Sequence, residues 1–377
     1  MEEVGRSKNP RKRIFASNLI LLVVFAKNKK LTSSTLFYLR NFFIIELMAQ
    51  EKMKKVVVIG GGTGVFVVLT ALKNLPVHLS AIISMADSGG SSGVLREEFG
   101  ILPPGDVRRA LIALSHSDNK LLAKLFNYRF NESYFLDGHS FGNLFITALE
   151  RITGDFQKAI REAGKILNIS GEVIPVTLDN INLVAQLENG QIIYGEGAID
   201  RQKEKKPKRI KKIWLQPKAK INPVARQAIL TADFIIIGPG DLYTSIIPNL
   251  LVVGVKEAIK KSKAKKIFIT NIMTKKGETD YFKAADFVTT LEKYLGKNTL
   301  DYILINTGRP DKKRFQKYKE EGACFVEPNV NKWGKATVIK RDLLREKGLL
   351  RHDPKKLRVA LGEIILRDQS YGRDINS

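Results

Sequence analysis

The stretch Lys54–Gly64, KKVVVIGGGTG, decides how the chain folds. Val56–Ile59 are four consecutive apolar, β-branched residues, the pattern of a strand buried on both faces of a parallel sheet. Glycines follow at once, and Val65–Leu72 is an apolar run suited to a helix laid on that sheet. Leu79–Ala86 reads as a second short strand, followed by the glycine- and serine-rich turn Asp87–Gly93. Strand, glycine turn, helix, strand opens a doubly wound fold. The expected class is therefore α/β, with a Rossmann-like three-layer core and a mostly parallel sheet.

Working outward, Val107–Ser115, Lys120–Phe126, Gly142–Ile152 and Phe156–Leu167 read as helices, so a helical lobe is expected over about 107–168. Glu172–Val176 returns to strand. Ile181–Leu187 and Gln191–Tyr194 flank Glu188-Asn189-Gly190, a strong β-hairpin signal. Phe234–Ile237, Lys266–Thr270 and Tyr302–Asn306 are further short strands alternating with helices. Ala336–Ile339 and Val359–Ile365 read as edge elements. One nucleotide-binding domain over 53–370 accommodates all of this.

Composition narrows the chemistry. A single cysteine, Cys324, excludes an intrachain disulfide, and with only four histidines a zinc cluster has too few ligands. A reducing, cytoplasmic setting is expected. The formal net charge of +25 is unevenly placed. Residues 201–220 hold ten Lys/Arg and one acid, which predicts an exposed basic loop with a short strand near Ile213–Leu215. No recognition helix or aromatic interleaving accompanies the charge, so nucleic acid is not an expected partner.

Residues 1–52 differ from the rest. A basic stretch, Lys8–Arg13, precedes the apolar run Ile14–Ala26, whose 13 positions fall short of the ~20 needed to span a bilayer. Three readings stay open: a start codon placed too far upstream, with Met48 and Met53 just before the first strand; a membrane-associating arm; or a packed N-terminal helix.

Six segments carry site chemistry. Gly61, Gly62, Thr63 and Gly64 form a turn whose backbone amides and following helix N-terminus suit a phosphate, with a purely structural turn as the alternative. The turn is not a P-loop, lacking the Lys-Ser/Thr pair. Asp87, Ser88, Gly90 and Ser91 lie where open sheets bind ligands, and Asp87 could hold a ribose hydroxyl or a metal. Asp106 is a good N-cap, and Arg108 next to it could reach a phosphate, whereas Arg109 could simply face solvent. His139 and Asn143 are four apart and could share a helical face, either for recognition or as a local capping network. Gly238, Gly240 and Asp241 end a buried strand, and Asn271 ends another, on the same rim. Neither a hydrolase elbow nor a catalytic triad is present by spacing.

These motifs together resemble the YvcK/CofD-like family. The residues that carry the resemblance are KVVVIGGGTG (55–64), ADSGGSSG (86–93), GILPPGDVR (100–108), GHSFGN (138–143), IGPGDLYTSIIPNL (237–250), NIMTKKGETD (271–280) and RHDP (351–354). The match is nearer to the gluconeogenesis-factor branch than to the 2-phospho-L-lactate transferase branch. The transferase branch implies a metal held by acid and a group moved from a nucleotide-activated donor to a deazaflavin. The gluconeogenesis-factor branch implies binding of a UDP-sugar such as UDP-N-acetylglucosamine and a link to carbon metabolism, cell shape and wall synthesis. Where the branch pattern carries a second acid, this chain has Ser88, which weakens the case for a metal at Asp87.

The resemblance therefore implies a nucleotide-sugar-binding regulator more than an enzyme, with a metal-dependent transferase as the alternative. No cofactor is required for the first, and Mg2+ belongs to the second. The expected partners are the nucleotide-sugar, proteins of metabolic or cell-wall regulation and a further copy of the chain, with membrane contact only through residues 1–52.

Overall fold

The structure is a computed structural model and describes residues 53–116, 120–131, 134–202 and 208–367. The readings for residues 1–52, and part of the basic segment, lie outside the described residues. The described residues open with β1 (Lys54–Gly60), α1 (Gly62–Leu72) and β2 (Val77–Ile83). A helical stretch follows: α2 (Gly90–Phe99), α3 (Pro104–Leu114), α4 (Lys120–Asn127), α5 (Phe141–Thr153) and α6 (Phe156–Ile166). Then come β3 (Glu172–Pro175), β4 (Asn182–Leu187), β5 (Ile192–Tyr194), the short α7 (Glu196–Asp200) and β6 (Ile210–Gln216). The remainder is α8 (Pro223–Thr231), β7 (Phe234–Ile237), a π-helical turn (Leu242–Ile246), α9 (Ile247–Leu251), α10 (Val255–Lys261), β8 (Lys265–Ile269), α11 (Ala284–Leu295), β9 (Tyr302–Asn306), α12 (Lys312–Glu320), β10 (Thr337–Arg341) and α13 (Pro354–Arg367).

Seven strands form one sheet in the order β10-β9-β8-β7-β1-β2-β3, and every pairing in it is parallel. β1 is central and Val56, Val58 and Ile59 are fully buried, as a strand covered by helices on both faces must be. From β1 the chain winds one way to β2 and β3, then returns to β7 on the other side. The strand ends at that reversal open a crevice. β4 and β5 form the hairpin predicted around Asn189-Gly190, antiparallel with Val184 opposite Tyr194. β6 adds to the other edge of β4 from Asn182↔Gln216 to Leu187↔Ile210.

Two parts differ from the sequence reading. The short strand expected near Ile213–Leu215 in the basic segment is the seven-residue strand β6, longer than the sequence reading had it. Its apolar residues Ile210, Ile213 and Leu215 turn inward, and its lysines stay in solvent. Val359–Ile365 belongs to helix α13 and not to a sheet edge. Leu361 and Ile365 are fully buried, and Arg358 Nε donates to the Ala71 carbonyl at the end of α1. Ala336–Ile339, by contrast, does lead the edge strand β10. Among the described residues no helix is long and apolar enough to cross a membrane.

The close approach of α1 to the β7 turn fixes the crevice. A Cβ on Gly64 would overlap the Pro239 carbonyl, backbone that cannot swing aside as a side chain can. Gly64→Ala should therefore cost about 3 kcal/mol, the range of overpacked cores. A denaturant midpoint unchanged from the parent would show that the two turns are not in contact.

Candidate functional site

A cavity of about 730 Å³ opens along the carboxyl ends of β1, β7 and β8. Gly61–Gly64, Asp87, Gly90, Ser91, Asp106, Arg108, Asn143, Gly240, Asp241 and Asn271 all line it. Ser88, His139 and Gly238 do not reach its wall. Gly62 adopts a φ of +63°, where a side chain would be strained, and its amide points at a carboxylate. That carboxylate is Asp106, whose Oδ2 accepts the Gly62 N–H at 2.8 Å. The N-terminus of α1 is thus partly satisfied from within the protein, by a residue on the first turn of α3.

Three acids crowd one side of the cavity. Asp87 Oδ1 accepts the Gly89 amide at 2.9 Å. A Cβ on Gly89 would stand 3.5 Å from that oxygen and 3.8 Å from Glu196 Oε2, so the two carboxylates flank this glycine. Burial, with Asp87 beside it, raises Asp106 to about 6 despite Arg109 and the Gly62 amide. Burial and then Asp87 raise Glu196 to about 8. Ser88 faces away, its Oγ accepting the Gly197 amide at 3.1 Å, which pins α7 over the Asp87 turn. Beside Asp87, where position 88 lacks an acid, stand two carboxylates from distant segments: Asp106, which lies in a quoted motif, and Glu196, which no local pattern in the sequence announces.

A second acidic group lies across the rim. Carboxylate oxygens of Asp200, Asp241 and Glu278 fall within 4.8 Å of one another. Glu278 is buried and accepts from the Tyr243 amide at 3.1 Å and the Thr244 hydroxyl at 2.9 Å. Burial, then Asp241, pushes it well above the usual carboxylate range. Lys275 Nζ sits 2.7 Å from Asp200 and 3.8 Å from Asp241. Burial draws Lys275 down, but the two aspartates outweigh it and hold the ammonium charged. These donors are hard oxygens suited to a divalent cation, which would take the ammonium's place. Asp87, the metal ligand expected from sequence, is not among them.

The two arginines of α3 are not placed as the sequence reading had them, with Arg108 at a phosphate and Arg109 in solvent. Arg108 is buried, and donates from Nε to Asn143 Oδ1 (3.0 Å) and from Nη1 to Asn127 Oδ1 (2.8 Å) and the Phe126 carbonyl (3.3 Å). It ties α3 to α4 and α5. Asn143 Nδ2 donates in turn to Ser91 Oγ, which also meets His139 Nδ1 at 3.1 Å. His139 and Asn143 thus build the wall behind the Gly90–Ser92 turn, the capping network that their spacing left open. Arg109 faces the cavity: its side chain is 45% exposed, with Nη1 3.6 Å from Asp106 Oδ1 and close to Gly62. Other lining residues were not singled out from sequence: Arg129, Glu196, Asp200, Arg201, Lys275, Tyr318, Arg351 and His352. Only the quoted stretches around Lys275 and Arg351 carried a signal for any of them.

The sequence profile of the family described as 2-phospho-L-lactate transferase CofD matches residues 56–344. A gluconeogenesis factor of Halalkalibacterium halodurans is 43% identical over 308 residues, which cover 80% of this chain and 94% of that protein. One from Listeria innocua is 43% identical over 305 residues, covering 80% and 92%. A crystal structure from Bacillus halodurans, of a protein assigned to the UPF0052 family, superposes with a TM-score of 0.77 at 42% identity. It covers 84% of this chain and 99% of its own. The expectation that the protein is a regulator rather than an enzyme is overturned by two findings. The matching profile is that of a transferase family, and three acids converge as a candidate metal group.

The arginine pair gives a test. Arg108→Ala should cost about 2–4 kcal/mol, because it leaves buried acceptors unpaired. Arg109→Ala should move stability by no more than about 0.5 kcal/mol, yet weaken binding of inorganic pyrophosphate. Thermal melts and calorimetric titrations of both variants check this. Equal melts would contradict the buried role of Arg108, and unchanged pyrophosphate binding by Arg109→Ala would remove it from the site.

Proposed function

The chain belongs to the CofD family, and on that premise we propose that its cavity binds a nucleoside diphosphate-linked donor with a divalent cation and transfers the phosphate-linked group to an acceptor hydroxyl. The observation that carries this reading is the mixed charge of the cavity. Among the described residues its lining holds seven cationic side chains and six acidic ones, so it is neither a simple anion trap nor a cation cage. A metal–nucleotide complex, anionic at its phosphates and cationic at its metal, matches both sets.

The chain's own groups have separable tasks. The turn amides after Gly62 and those of Gly90–Ser92, at the starts of α1 and α2, face the phosphates. Arg109 and Arg129 add charge from α3 and from the segment after α4. Asp200, Asp241 and Glu278 would hold the cation, and when bound it would draw charge from the phosphate undergoing substitution. In the transfer, the acceptor oxygen bonds to the outer phosphorus and that phosphorus loses its bond to the bridging oxygen. The nucleoside monophosphate leaves with that oxygen and its electron pair. The acceptor's proton goes to Glu196 in its ionised form, which the charge of a bound cation would favour and whose raised pKa makes it a strong base.

Within this reading the donor is a nucleotide-sugar of the UDP-N-acetylglucosamine type. The relatives named gluconeogenesis factor support a place in carbon metabolism, and the resemblance to that branch supports a link to cell shape and wall synthesis. The protein acts in the cytoplasm, with Asp87, Asp106 and Asn271 among its ligand contacts.

Incubation with UDP-N-acetylglucosamine, Mg2+ and a pool of hydroxylated acceptors should release UMP above the protein-free level. Chelation, and Glu196→Gln, should each suppress it at least about 100-fold. Tight nucleotide binding without any released UMP would contradict the transfer step while leaving the binding site standing.

A further inference from the structure

We infer that the outer face of the antiparallel sheet β5-β4-β6 is a docking surface for single-stranded nucleic acid, whose bases stack on Trp214 and Tyr194 and whose phosphates meet the cations of β6 and its flanks. The inference is independent of the cavity and of the transfer proposed there, since none of these residues lines that cavity.

Strand pairing sorts the side chains of this sheet onto two faces. Leu183 and Ala185 of β4 oppose Leu215 and Ile213 of β6, and all four are buried in the main core. The alternate residues point the other way. Val184 stands between Tyr194 on one side and Trp214 on the other, and Gln186 between Ile192 and Lys212. Tyr194 is 62% exposed, Ile192 is exposed and Trp214 is half-buried, and none of the three belongs to the core packing. Two strand spacings set Tyr194 and Trp214 about 10 Å apart. The sequence reading left nucleic acid aside because no aromatic pattern accompanied the charge. Pairing across β4 supplies one, by setting Tyr194 on the face that carries Trp214.

The charge on this face matches a polyanion. Lys208, Arg209, Lys211, Lys212, Lys218 and Lys220 are all exposed, and no acid lies among residues 208–220. Among the described residues none of the six is in an ion pair. Unpaired cations this close in the chain repel one another, and a row of phosphates relieves that repulsion while giving up its own counterions. Lys212 Nζ stands over the Trp214 ring at 5.7 Å from its centre, near the outer limit of such a contact. A base can therefore take that ring face and leave the ammonium to a phosphate. The rings separate this partner from other anions. A duplex keeps its bases stacked away and an acidic peptide brings none, whereas every unpaired base has a flat face to offer. A lipid surface calls for a projecting apolar wedge among the cations, and here Val184, in the middle of the face, is fully buried.

The test is fluorescence anisotropy of a labelled oligouridylate of about 12 nucleotides titrated with the whole protein. Binding should persist in excess UDP and Mg2+, and exceed that of a duplex of the same length at least about tenfold. Its logarithm should fall against that of the salt concentration with a slope of about −2, as for three neutralised phosphates. Trp214→Leu should weaken binding at least about tenfold, the worth of one stacked base, with the slope unchanged. Lys211→Gln combined with Lys212→Gln should instead flatten the slope by about 1. Tyr194→Ala, at an exposed position, should also weaken binding about tenfold, and it decides the matter if melts show Trp214→Leu to be unfolded. Displacement by UDP would put the oligonucleotide in the cavity and overturn the inference. Equal binding of the duplex, of polyglutamate or of phosphatidylserine vesicles would show a face for anions at large and overturn it too. So would an oligouridylate that fails to bind at low salt, or folded aromatic variants that bind it as the parent does.

Discussion

Asp106 holds the Gly62 amide at 2.8 Å, and most of the site is arranged around that contact. It places a carboxylate at the mouth of a glycine turn shaped for an anion. It also fastens the first turn of α3, and through Arg108 the helices beyond it, to the end of β1. The arrangement has an electrostatic consequence. Asp87 and Glu196 stand close to Asp106, and in a buried setting these groups cannot all ionise freely. An anionic ligand alone would worsen that repulsion. A cation arriving with it would relieve it.

The fold makes such crowding affordable by bringing the groups in on different supports. The parallel sheet delivers backbone turns from β1, β7 and β8, and its helices deliver Asp106 and the two arginines. The antiparallel strands β4–β6 carry α7 across the crevice, where Ser88 and Lys275 hold it by the Gly197 amide and the Asp200 carboxylate. The C-terminal segment closes the apolar end through Tyr318 and Arg314. A site assembled from so many segments is rigid at the turns and adjustable at the charges.

Much of this was legible in the sequence. Four β-branched residues before a glycine turn can hardly be anything but a buried parallel strand, and the glycine turns do line the cavity. What the sequence withheld depends on tertiary packing. Arg108 and Arg109 are neighbours about 100° apart on a helix, and which of them is buried depends on where α4 and α5 sit. Asp200, Asp241 and Glu278 lie far apart in the chain; Asp241 and Glu278 fall in quoted motifs and Asp200 in none, and only the folded crevice gathers them. Val359–Ile365 is a short apolar run that periodicity cannot assign to helix or strand. The lysines of β6 hid the strand's full extent because only every second or third residue there faces inward.

The central claim is that an anionic nucleotide and a divalent cation enter this cavity together, and proton exchange on binding tests it most directly. Glu196, held at about 8, is largely protonated at pH 7, and Asp106, at about 6, is partly so. A cation among the carboxylates lowers their pKa values and expels protons, whereas an anion alone raises them and takes protons up. Calorimetric titration with UDP at pH 7, in two buffers of different ionisation enthalpy, reads this exchange. The expected result is net proton release with Mg2+ present, and weaker binding with proton uptake once the cation is chelated. Equal affinity and the same proton uptake under both conditions would contradict it.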